Sequence, residues 1–156
     1  MVLHATARES NVRDSVKKFF VDNIETTEGI PVTFDKALIY PDLTDKTVEK
    51  WVNVNFGSMI FGTYSDINLE VHVCTRKDNE GFKLAQLKDK VLGYLSDATT
   101  TDGYKRIPFY QSHPTDVWVS LGAFLVIDVI ESAQLNADDE TKYKTLDVLL
   151  RTASII

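Results

Sequence analysis

Glu70, His72 and Cys74 recur at every second position inside a run of alternating apolar residues. On an extended strand that spacing puts all three on one face, and each side chain can ligate a metal or move a proton. A structural zinc site closes with four ligands, however, and the other histidines, His4 and His113, lie in unconnected stretches. Cys74 paired with a histidine as nucleophile and base would need a positioned third group, and no nucleophile elbow surrounds it. An exposed polar strand face is the plainer reading. Gly57 and Gly62 have the spacing of a phosphate-binding loop, but Thr63 and Tyr64 stand where Lys and Ser or Thr are needed. A strand, not a helix, is expected next. Asp138, Asp139 and Glu140 read as a solvated acidic turn, and Asp42 and Asp45 as loop residues.

Apolar residues outside the regular elements are the stronger signal. Met59, Ile60, Phe61 and Tyr64 fall in the connection GSMIFGTYS, and Phe109, Tyr110 and Trp118 lie near Pro108 and Pro114. Connections usually face water, so large apolar groups concentrated there predict a contact surface. Met59, Ile60, Phe61, Tyr64, Phe109 and Tyr110 are the expected subunit-contact residues. The competing reading folds these segments back to cap the core.

The elements that must carry these residues follow from periodicity. Ser10 can cap a helix over about residues 10–23, with Val12, Val16, Phe19 and Phe20 as its buried stripe. Pro31 opens a short extended piece, Val32–Phe34, and a second is expected at Ala37–Tyr40, stopped by Pro41. Trp51–Phe56 and Ile67–Thr75 alternate as half-buried strands. Asp78-Asn79-Glu80-Gly81 signals a turn that begins a helix over about 81–97, with Leu84, Leu87, Val91, Leu92 and Leu95 inward. Tyr104–Tyr110 is extended, and Pro108 demotes it to an edge. Val117–Glu131 reads as a long central strand bulged at Gly122, and Tyr143–Arg151 as the last strand. The order predicts a single α+β domain over residues 1–156, a mainly antiparallel sheet with two helices packed on one face.

Composition narrows the partners. The chain of 156 residues is 44% apolar and 26% charged, enough for one sizeable core. Its net charge of −6 repels phosphate backbones, and Asp14 and Asp22 interrupt the basic group Arg13, Lys17 and Lys18. No sequence-specific nucleic-acid binding is expected. One cysteine permits no internal disulfide, which fits a reducing compartment. The longest apolar run, Val117–Ile127, is shorter than the roughly 20 residues of a helical membrane span. The N-terminal MVLHATARES lacks the apolar core of a secretory signal.

An amphipathic helix, the Pro31–Phe34 piece, the strands Trp51–Phe56 and Ile67–Thr75, a helix of about four turns and a C-terminal strand pair make up nearly the whole chain. In element order and size this resembles the tail terminator and related neck and tail-completion proteins of long-tailed bacteriophages. The resemblance implies a non-enzymatic structural protein without cofactor or bound metal, assembled in the bacterial cytoplasm and located in the virion tail or neck. It implies a homohexameric ring that caps the tail tube, stops its elongation and joins the head. The partners would be further copies, the tail tube protein and head–tail connector proteins, with DNA only passing through the channel. Net negative charge would make that channel repel DNA; charge reversal of channel acids that left DNA passage unchanged would count against this. A head-completion or neck connector protein is the nearest variant. From other classes come a small enzyme or ligand-binding domain using Glu70, His72 and Cys74, and a monomeric regulatory binder.

Overall fold

The computed structural model describes residues 8–35, 48–61, 64–97, 99, 105–111, 118–136 and 141–153. The expected second extended piece at Ala37–Tyr40, the segment around Pro114 and most of the polar loop 99–103 lie outside them.

Helix α1 (Arg8–Phe20) runs without a break into a π-helical segment, Val21–Thr26. Val12, Val16, Phe19, Phe20 and Ile24 are all buried. The wider π turn carries the inward stripe on to Ile24, beyond the end that spacing alone suggests. Gly29, at φ 69°, closes the segment, with the Ile30 amide on the Ile24 carbonyl at 3.2 Å. Strand β1 (Val32–Phe34) lies parallel to β2 (Lys50–Ile60), and every other pairing is antiparallel. Strand β3 (Tyr64–Thr75) leads to α2 (Phe82–Leu95), followed by β4 (Arg106–Gln111), β5 (Val119–Glu131), the two-residue β6 (Leu135–Asn136) and β7 (Lys142–Ala153). The sheet order is β1-β2-β3-β7-β5-β4, with β6 on β7.

One face of this sheet carries the core. Val52, Val54, Leu69, Val71, Leu146, Val148, Ile107 and Phe124 form a single cluster with Val12, Val16 and Phe20 of α1 and Leu84, Leu87 and Val91 of α2. The fold is therefore α+β, a mostly antiparallel sheet with both helices on one face. Burying a side chain of this size contributes about 1.5–3 kcal/mol, so the cluster is the main source of stability.

Asp78 begins α2. Its carboxylate accepts the Leu84 amide at 2.8 Å and the Lys83 amide at 3.3 Å, occupying two otherwise unmatched helix donors. Gly81 stands at the cap position with φ 76°, and a Cβ there would collide with the Gln134 side chain. Across the molecule, Arg13 pairs with Asp35 and lies 4.5 Å from the Phe56 ring centroid, while Asp35 also accepts the Phe56 amide. These contacts pin α1 to the β1–β2 edge.

Three expectations need correction. The connection Gly57–Ser65 is not a loop: β2 runs to Ile60 and β3 starts at Tyr64, so they form a long hairpin. Strand β5 does carry a register shift beside Gly122 and another at Ile127, but it lies next to the β4 edge, while β3 and β7 occupy the centre. The start of β2 is buried on both faces, since Trp51 and Asn53 are as inaccessible as Val52 and Val54.

Candidate contact surfaces

The hairpin contains a bulge. Phe56 pairs with Leu69 and Met59 with Ile67, so Gly57 and Ser58 together oppose Asn68. The Asn68 side-chain amide donates to the Ser58 hydroxyl at 2.8 Å and holds the extra residue in place. That insertion shifts the alternation by one position. Met59 turns toward the core beside Ile67, and Phe61 packs there too, while Ile60 and Tyr64 remain 63% and 66% exposed. The four expected contact residues thus divide in pairs. Met59 and Phe61 are partly buried hairpin packing; Ile60 and Tyr64 face solvent.

The second expected group divides as well. Phe109 is 3% exposed, its ring centroid 4.8 Å from that of Phe124, so it belongs to the core and is corrected as a contact residue. Tyr110 is half-buried and meets Trp118 edge to face at 5.8 Å. The hydroxyl of Ser15 on α1 accepts the Tyr110 amide at 2.9 Å and donates to its carbonyl at 3.2 Å. A helix side chain therefore covers the outward backbone groups of Tyr110 on this edge strand.

Strand register brings separate stretches of sequence to one end of the sheet. Tyr64 pairs with Ala153, and Leu125 with Arg151, so the part of β5 before Leu125 projects past that same end. There Ile60, Tyr64, Trp118, Val119 and Leu121 are all 44% exposed or more. Together these side chains leave on the order of 500 Å² in water, divided between the hairpin and β5 with β7 between the two. Phe82 and Leu135 are exposed at the opposite end, where Leu135 pairs with Tyr143, and Ile130 is exposed across from Asp147. Val119, Leu121 and Ile130 are not distinguishable by sequence pattern from the buried apolar residues around them. Only the register exposes them.

Glu70, His72 and Cys74 do share a face, the one that carries no helix. They differ sharply in environment. Glu70 is exposed, His72 is 8% exposed and Cys74 is fully buried. The expected open polar face is therefore closed over two of the three. His72 Nδ1 lies 2.9 Å from the Thr145 hydroxyl, Nε2 lies 3.6 Å from Glu70, and the ring stands edge-on to Tyr143. Burial pushes the His72 imidazolium below its ordinary range; Glu70 and Asp147 oppose that shift without cancelling it. Cys74 pairs across the sheet with Trp51 and Tyr143. Among the described residues no group of three His, Cys, Asp or Glu side chains is placed to hold a metal ion.

No described helix is long and apolar enough to cross a membrane. No family model matches the chain, and no curated protein matches it. Among solved structures, one whose name states no activity is 10% identical over 89% of this chain and 92% of that one, with a TM-score of 0.49. A likeness that loose carries no argument about function.

Proposed function

We propose that this chain is a virion assembly protein, a tail terminator subunit that forms a ring on the phage tail tube, stops its elongation and offers the surface that joins the head. A head-completion or neck connector protein is the nearest variant. The observation that carries the reading is the apolar end of the sheet formed by Ile60, Tyr64, Trp118, Val119 and Leu121. A surface of that kind on a chain with an already filled core fits repeated protein contact. The apolar side chains at the opposite end, Phe82 and Leu135, fit a head-to-tail arrangement, which needs two different surfaces on each copy. The α+β architecture is the one the family resemblance implies. The assignment to the virion, the tail tube and connector partners, and a non-catalytic role all rest on that resemblance.

Mass measurement in solution with electron micrographs of purified protein, alone and mixed with tail tubes, tests the reading. Rings, or tubes capped at one end, are expected. A chain that stays monomeric and leaves tubes uncapped would overturn it.

A further inference from the structure

A groove of about 260 Å³ runs along the sheet edge between α1 and β4. Its wall carries Lys18, Lys105 and Arg106 against a single carboxylate, Asp22, which Lys18 holds at 2.9 Å. Among the described residues Arg106 meets no carboxylate, while Lys105 lies over the Phe19 ring at 6.0 Å and also attracts the Asp97 carboxylate, which is not part of the wall. The chain as a whole is −6, so this is a local reversal of sign. Phe19, Pro108 and Tyr110 contribute apolar surface beside those cations. Trp118 stands on Tyr110 with Lys18 5.4 Å from its ring centroid, and it is still 44% exposed.

At Tyr110 and Pro108 the backbone offers no free amide to an added strand. Ser15 occupies the amide and carbonyl of Tyr110, and Pro108, two positions back and facing the same way, has no amide to offer. Recognition must therefore run through side chains. The volume lies below the usual range of small-molecule sites and suits a few peptide side chains.

We propose that this groove docks an acidic peptide segment of a partner protein, one that sets an aromatic or large apolar residue beside its carboxylates. Arg106 and Lys105 take the carboxylates, Arg106 with the fork geometry that suits them. The apolar residue lies on Tyr110, Pro108 and Trp118. A nucleic acid is disfavoured because a long polyanion meets the repulsion of the whole chain, whereas a short peptide meets mainly the local cations. The inference does not depend on the ring reading, since a chain that never self-associates still has this groove.

The test is fluorescence anisotropy of a labelled peptide with one Phe flanked by Glu residues, titrated with the full chain. The peptide with Gln in place of Glu, and a single-stranded oligodeoxynucleotide of equal charge, serve as comparisons. Saturable binding of the acidic peptide alone is expected, weakened at least tenfold by Lys105→Glu combined with Arg106→Glu and at least threefold by Arg106→Ala. The exposed position of Arg106 keeps the single variant folded, which unchanged thermal melting would verify. Absence of binding, equal binding of the Gln peptide, tighter binding of the oligonucleotide, or full affinity in folded Arg106→Ala would each overturn the proposal.

Discussion

Asp78 shows how one side chain sets an element. Burial alone would raise its carboxyl, but the Leu84, Lys83 and Gly81 amides and the Thr75 hydroxyl outweigh that and hold it below the usual range. A carboxyl lowered in the folded state stabilises above its unfolded value, about 4, and that contribution is lost as pH falls through the folded value. Asp78→Ala should therefore cost about 1–2 kcal/mol in urea unfolding at neutral pH, with the deficit shrinking in acid. An unchanged midpoint would show that the cap is dispensable. His72 acts in the same direction by a different route. Its folded value is lowered by burial, so the unfolded chain binds the proton more readily. Stability should be full above about 6.5 and decline as pH drops below it. His72→Gln should flatten that slope in denaturant titrations; a slope that survives the substitution would place its origin elsewhere.

At the scale of elements the β2–β3 hairpin is decisive. The alternation of Trp51–Phe56 and of Ile67–Thr75 is plain in sequence because one face of each strand meets the helices. The hairpin between them is not legible, because the bulge at Gly57 and Ser58 breaks the period of two where β2 continues. The same broken period disguises which apolar residues remain outside: Met59 and Phe61 pack, Ile60 and Tyr64 do not. Phe109 was equally unreadable, since nothing local says that β4 turns it toward Phe124. The two helices were legible because each buries one narrow stripe; the π turn was not, since Val21–Thr26 carries no signal for it beyond the inward Ile24. Gly81 offers a direct check on the α2 junction. Gly81→Ala should destabilise by more than about 1 kcal/mol, because it meets both a left-handed backbone and the Gln134 side chain. A neutral effect would mean that Gln134 moves aside freely.

For the whole molecule, the central claim is that the apolar end of the sheet exists to meet other protein. Its residues come from the hairpin and from β5, stretches far apart in sequence that adjoin only through β7. Exposed substitutions away from special features usually change stability by no more than about 0.5 kcal/mol, so this end can be altered without unfolding the chain. The most direct test is the solution mass of wild type and of the variant Ile60→Lys with Tyr64→Lys, at concentrations where the wild type associates. The account predicts a wild-type assembly of several copies and a folded monomer for the variant. A variant that assembles as the wild type does would contradict it.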